Sequence, residues 1–192
     1  MGRARTLKIR KLEKGEDFHG IYDALKSYAE ISDNDIIVVE NECPDYAYFG
    51  ELNTMLSIRS GASATIVGGV TRDRDNVMKM NYPVFSKGYN CKDVRKRATL
   101  ANFNRTINVL GVTISPSDLI FADNDGVVVI PVAYENKIMK AIIEKIVKIR
   151  PTTYGFIGKD DTGIINKTVV IKLFTIPTVS YTHLRAHETL AN

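Results

Sequence analysis

The sequence predicts a single α/β domain built on a mixed sheet, and three observations carry that expectation. Short apolar runs of strand length alternate with segments of helical period between residues 4 and 149. The runs Ile36-Ile37-Val38-Val39 and Ala64-Thr65-Ile66-Val67 are almost continuously apolar, as strands covered on both faces are. The turn Asn124-Asp125-Gly126 joins two such runs directly, so part of the sheet is antiparallel and the fold is not a pure doubly wound one. A length of 192 residues accommodates one domain, or one domain with a tail.

The elements follow in order. Residues 4–12 (ARTLKIRKL) alternate, with Leu7 and Ile9 on one side, and read as the first strand. Residues 17–30 set Phe18, Ile21, Tyr22, Leu25, Tyr28 and Ala29 on one helical face. Ser32-Asp33-Asn34 breaks the chain before a buried strand over 35–40. A loop with Pro44 leads to a helix from Glu51 to Arg59, apolar at Leu52, Met55 and Leu56 and stopped by Gly61. Residues 62–67 form the next strand, Gly68-Gly69 opens a polar loop (TRDRDN), and Tyr82-Pro83-Val84-Phe85 follows. TINVLGVTI (106–114), LIFA (119–122) and VVVIP (127–131) read as strands. An amphipathic helix over 134–149 closes the pattern through Ile138, Met139, Ile142, Ile143, Ile146 and Val147.

Composition removes several function classes. No stretch approaches the roughly 18 apolar residues that a membrane-spanning helix needs. The basic N-terminus MGRARTLKIRKLEKGE has no apolar segment behind it and is not a secretory signal. Cys43 and Cys91 are too few for a disulfide framework or a four-thiolate zinc site, which points to a reducing cytoplasm. The three histidines are His19, His183 and His187, so histidine-centred metal sites and Ser/His/Asp chemistry are poor expectations. Catalysis would rest on carboxylates, Arg or Lys, backbone dipoles and a hard metal ion. The net charge of +4 is concentrated in Arg3, Arg5, Lys8, Arg10, Lys11 and Lys14, and in Lys92, Arg95, Lys96, Arg97 and Arg105. Neither run is interleaved in sequence with stacking aromatics, so solvated faces are expected and nucleic acid is not the expected partner.

Two features concentrate chemistry. Phe49-Gly50-Glu51-Leu52-Asn53 places a glycine at the mouth of a helix, where free N–H groups and the helix dipole favour an anion. Gly68-Gly69-Val70-Thr71-Arg72-Asp73 follows a buried strand, where open α/β sheets bind ligands. Each alone has a plain structural reading, a helix start and a surface ion pair. Twenty residues lie between Glu51 and Arg72, and they hold one helix and one strand. The helix mouth and the strand exit are therefore expected at the same edge of the sheet.

With those residues the chain resembles the RraA-like family, which includes the class II 4-hydroxy-4-methyl-2-oxoglutarate aldolases. The matching pieces are Gly2-Arg3-Ala4-Arg5-Thr6, DIIVVE, YFGEL, the Gly-Gly-Val-Thr-Arg-Asp loop, YPVFSKG and SPSDLIFADNDGVVVIP. The resemblance implies a swivelling β/β/α sandwich, a homotrimer, and a lyase acting on small 2-oxo acids with Mg²⁺ or Mn²⁺. On the matching positions it implies that the amides of Gly50, Glu51, Leu52 and Asn53 hold a pyruvate carboxylate. Arg72 would bind the keto acid, and Asp73 would serve the metal. Glu51 is the acid placed to shuttle the proton through a water. Breaking a carbon–carbon bond beside a 2-oxo group leaves an enolate, whose charge must meet a fixed positive group. The same demand arises in decarboxylation of oxaloacetate. The alternative within the family is a non-catalytic regulator that binds a ribonuclease or helicase.

The sequence departs from the family pattern at Asn76, where an acid is usual and Asp75 is adjacent, and at Asn53, where leucine is usual. A polar Asn53 facing the ligand would favour a more hydrophilic substrate. The family domain is expected over 1–150, without its usual N-terminal helix. Residues 151–192 read as a divergent tail whose end, VSYTHLRAHETLAN, resembles translated adapter sequence. Asp123-Asn124-Asp125-Gly126 lacks the rest of a calcium loop and reads as a hairpin turn. Gly68-Gly69 lacks the lysine of a phosphate loop. Neither cysteine has a histidine to activate it.

Overall fold

A computed structural model describes residues 1–149, with side chains through Ile142; the tail expected over 151–192 lies outside the described residues. The strands are β1 (Gly2–Lys11), β2 (Ile36–Asn41), β3 (Ala64–Val67), β4 (Val70–Thr71), β5 (Val84–Phe85), β6 (Gly88–Tyr89), β7 (Ala98–Phe103), β8 (Ile107–Val109), β9 (Val112–Ile114), β10 (Leu119–Asp123) and β11 (Gly126–Ile130). The α-helices are α1 (Glu51–Arg59), α2 (Arg74–Lys79) and α3 (Glu135–Ile149), and a run of 3-10 turns covers Phe18–Glu30. The main sheet runs β11-β10-β1-β2-β3-β5, with β7 also paired to β1. Its centre, β1 to β2 to β3 to β5, is parallel. β10 meets β1 antiparallel at Gly2 and Arg3, and β7 takes over the same edge from Leu7 to Lys11. The expected mixed α/β architecture is the one observed.

Alternation along the strands divides the core in two. Leu7, Ile9, Ile37, Val39 and Val67 face one side, which the 3-10 segment and the helices around the site cover. Ala4, Ile36, Val38, Ile66 and Phe85 face the other, packed against Ile107, Val109, Val112 and Ile114 of the β8–β9 hairpin. Strands buried on both faces need near-continuous apolar runs, which is what 36–39 and 64–67 supply.

The structure corrects five local expectations. Residues 18–30 bury with period three, Ile21 and Ala24 inward and Tyr22 and Leu25 outward, because 3-10 turns stack i on i+3 rather than spreading a 3.6-residue face. Helix α1 has its expected limits but the opposite face: Leu52, Met55 and Ile58 are exposed, while Asn53, Thr54 and Ser57 are buried. The polar loop after Gly69 contains β4 and α2. TINVLGVTI is two strands, turned at Leu110 and Gly111, both with positive φ. β7 was not expected from ATLANF, whose pairing to β1 is bulged at Lys8/Ile9.

Four of the six cations of the first basic run, Arg3, Arg5, Lys8 and Arg10, are paired within the fold. Arg3 makes a two-pronged pair with Glu135 at 2.6 and 2.7 Å. Arg5 meets Asp35, Lys8 meets Glu40 and Glu42, and Arg10 meets Glu16. The Arg10 guanidinium, with a backbone N–H of Glu13, holds the Glu16 carboxyl below the usual carboxylate range. Of the second run, Arg95 and Lys96 lie over Phe18, and Arg97 over Tyr46. Those aromatics lie far from the run in sequence, so the stacking comes only from the fold.

Candidate active site at the mouth of α1

Two segments meet where the spacing places them. Phe49 bridges Thr71; the Thr71 hydroxyl and the Arg72 N–H both donate to Phe49 O, at 2.8 and 3.1 Å. This seam lays Gly50-Glu51 beside Arg72-Asp73. Asp73 has φ 58, a left-handed conformation that aspartate tolerates better than most residues, and this swings its carboxylate back over α1. Asp73 Oδ2 accepts the Glu51 N–H at 3.0 Å and lies 3.5 Å from Arg72 Nε. Gly50 is required by close approach rather than by φ. A Cβ there would fall 2.5 Å from Asp73 Oδ2 and 2.8 Å from Arg72 Cγ.

Helix α1 starts without a side-chain cap. Glu51 N–H is taken by Asp73, and Thr54 N–H begins the helical ladder by bonding to Gly50 O. Among the described residues, the N–H groups of Leu52 and Asn53 have no acceptor. Two orphan donors at a helix N-terminus, beside an arginine, form a place for a carboxylate.

The buried side of α1 explains its inverted face. Asn53 Nδ2 donates to Tyr48 O at 2.8 Å, Thr54 Oγ1 to Gly50 O, and Ser57 Oγ to Asn53 O. Tyr28 donates to Asn53 O, and Tyr82 shares a hydrogen bond with Thr65. Burial raises the phenols of Tyr28 and Tyr48, and pushes Tyr82 up to about 12. The Asn53 side chain is therefore turned into the protein; it ties the Tyr48–Gly50 turn to α1, and only its backbone N–H faces the mouth. The side-chain role in substrate choice expected from the sequence does not fit this geometry.

Asn76 Nδ2 donates to Glu51 Oε2 at 2.8 Å, linking α2 to α1. The residue that departs from the family pattern thus supplies a neutral partner to Glu51 where an acid would repel it. Arg72 Nη1 donates to Ala47 O at 3.2 Å and to Asp93 Oδ2 at 2.5 Å. Asp93 was not singled out from the sequence. It lies 21 residues beyond Arg72, in a loop whose neighbours are basic, and no local pattern marks it.

The donor set fits some metals and not others. No group of three or more His, Cys, Asp or Glu side chains is assembled among the described residues, which by themselves do not form a zinc or calcium cage. Asp73 Oδ1 and Glu51 Oε1 accept no hydrogen bond among the described residues, leaving one carboxylate oxygen each. One or two carboxylates with water completing the shell is the way Mg²⁺ is usually held. Cys43 is partly buried and Cys91 exposed, both as free thiols.

Comparisons with known proteins agree with this architecture. The family model described as "RraA-like: Aldolase/RraA" matches residues 1–129. DlpA of Legionella pneumophila is 32% identical over 154 residues, covering 79% of this chain and 24% of DlpA. A Halalkalibacterium halodurans protein provisionally named 4-hydroxy-4-methyl-2-oxoglutarate aldolase is 30% identical over 147 residues, covering 76% of this chain and 66% of that protein. The chain thus spans between a quarter and two thirds of the length of these relatives. Among solved structures, Streptomyces coelicolor RraAS2, described as an unusual member of the RNase ES inhibitor RraA family, superposes with TM-score 0.66 at 23% identity. That match covers 78% of this chain and 77% of RraAS2, and it shows the fold alone. With the family model spanning both halves of the site, this chain belongs to the RraA-like family.

Proposed function

We propose that this protein is a divalent-metal-dependent carbon–carbon lyase that cleaves a 4-hydroxy-2-oxo acid by a retro-aldol reaction to pyruvate, and that the same site decarboxylates oxaloacetate. The observation that carries this reading is the convergence on Gly50 of two unpaired helix amides, Arg72 and Asp73. The name of the H. halodurans relative supports it.

In this reading the substrate carboxylate docks on the N–H groups of Leu52 and Asn53. Arg72 lies beside the 2-oxo group and stabilises the negative charge that builds there as the bond breaks. Asp73 would hold Mg²⁺ or Mn²⁺, which supplies electrophilic polarisation of the 2-oxo group when bound. Glu51, anchored by Asn76 through one oxygen, keeps the other to accept the proton of the 4-hydroxyl and to return a proton to the product carbon. Gly50 keeps the mouth open, since any side chain there would displace Arg72 or Asp73. The exposed stripe Leu52, Met55 and Ile58 on α1 supports assembly into a homotrimer with the site near a subunit boundary.

The test is pyruvate release from a panel of 4-hydroxy-2-oxo acids and oxaloacetate, with Mg²⁺ and with excess EDTA. Metal-dependent release is expected. Release unaffected by EDTA would remove the metal from the account, and no release from any substrate would favour a non-catalytic regulator.

A further inference from the structure

The Arg72 guanidinium is hydrogen-bonded through one nitrogen among the described residues and ion-paired through another. Both hydrogen bonds that it makes among the described residues leave from Nη1, to Ala47 O and to Asp93 Oδ2. Nη1 lies on the Cδ side of the guanidinium plane. The opposite edge, Nε with Nη2, is the one beside Asp73 Oδ2 and the mouth of α1. On that edge Nε pairs with Asp73, and Nη2 makes no hydrogen bond or ion pair among the described residues, which leaves its N–H groups for an anion.

Asp93 is unusually well fixed for a residue whose side chain is 48% exposed. Its backbone is pinned to Ala47, whose N–H donates to Lys92 O at 2.8 Å and whose carbonyl accepts Val94 N–H at 3.2 Å. Its second oxygen, Oδ1, accepts Arg95 N–H at 2.6 Å, which sets the side-chain rotamer. The loop before it is tied down by Asn90, whose N–H donates to Thr71 O and whose side chain bonds Asp45 O and Lys92 N–H. An exposed ion pair between two free side chains contributes little, because both must be ordered to form it. Here the acid is already ordered by backbone contacts, and its carboxylate meets an arginine that the adjacent seam at Phe49 holds in register.

We propose that Asp93 is a positioning residue that clamps Nη1 of Arg72, so that Nη2 is presented to an anion at the mouth of α1. It touches no substrate; it acts through Arg72. The part of this inference that concerns 2-oxo acids rests on the lyase reading above, whereas the clamp itself is a property of the folded chain.

Two measurements on the full chain test it. The first follows the Nε–Hε resonance of Arg72 in ¹⁵N spectra, identified by its disappearance in Arg72→Lys. It should be resolved in the wild type, shifted but still resolved in Asp93→Asn, and collapsed to the averaged arginine position in Asp93→Ala, with thermal stability almost unchanged. The second compares steady-state constants for the best substrate of the panel. Asp93→Ala should lower kcat/KM about tenfold, with the loss falling on kcat as in Arg72→Ala and KM not lowered, and Asp93→Asn should recover part of the loss. An Arg72 resonance unmoved in Asp93→Ala overturns the clamp. So does a lowered KM, which would make Asp93 a competitor for the arginine. If wild type releases no pyruvate from any substrate, the lyase reading fails, and the Arg72 resonance still decides the clamp.

Discussion

The pairs Arg5–Asp35 and Arg72–Asp93 have the same length, 2.5 Å, and arginine side chains of nearly equal exposure, 27% and 28%. Their acids differ. Asp35 is 5% exposed and also accepts the Ser32 N–H, while its own carbonyl accepts from Ser63, so it knots β1, the start of β2 and the turn before β3 together. Asp93 is half exposed and ties its arginine to a loop. A buried carboxylate that loses its arginine has no water to replace it, whereas an exposed one is rehydrated at once. Arg5 ends its role at Asp35. Arg72, paired through Nη1 and Nε, keeps Nη2 clear of any partner among the described residues. The length of an ion pair therefore says nothing of its task; the burial of the acid and the nitrogen left to the arginine do.

The largest expected separation comes from removing each side of that contrast. Arg72→Ala should lower turnover by 10²–10³, the order expected for a fixed charge lost at a developing oxyanion, with the melting temperature shifted by only a few degrees. Asp35→Ala should do the reverse, losing about 3 kcal/mol in denaturant unfolding because Arg5 Nε and the Ser32 N–H lose their acceptor, with little change in turnover per folded molecule. A swap of these outcomes would break the comparison. Next in size is Asn53→Leu, the residue that the family resemblance leads one to expect there. It strands Tyr48 O and should lower stability by about 1–3 kcal/mol while leaving the substrate ratio unchanged. A changed ratio would put the Asn53 side chain back at the ligand.

The smallest effect lies at alkaline pH, in the tyrosines behind α1. The Tyr82 phenol is raised to about 12 in the folded chain, against about 10 when unfolded. Its contribution is complete below pH ~10 and is lost as pH rises through ~12, because only the unfolded chain ionises it readily in that window. Tyr28 and Tyr48 are raised in the same direction. Unfolding free energy should hold steady from neutrality to about pH 10 and then fall. Phenolate absorbance should show these three tyrosines ionising together with unfolding rather than before it.

How far the sequence is legible varies along the chain. Strands 36–41 and 64–67 are marked by their own composition, and α1 by its glycines at 50 and 61. The face of α1 is hidden because Asn53, Thr54 and Ser57 satisfy themselves on backbone carbonyls, so their burial carries little penalty. The 3-10 pitch of 18–30 is hidden because its apolar residues fit a helical face on paper, and only packing against β7 and β1 selects period three. The meeting of Gly50-Glu51 with Arg72-Asp73 is legible, since one helix and one strand between them fix both at one sheet edge. Asp93 is not, because its role depends on a loop folding back onto Ala47.

The most direct test of the central claim, that Arg72, Asp73 and the mouth of α1 form one site for a 2-oxo acid, is calorimetric titration of pyruvate into the Mg²⁺-supplemented protein. Pyruvate should bind the wild type in Mg²⁺ and weaken at least tenfold on loss of the metal, in Asp73→Ala and in Arg72→Ala. Equal affinity in wild type and Arg72→Ala, or indifference to Mg²⁺, would contradict it.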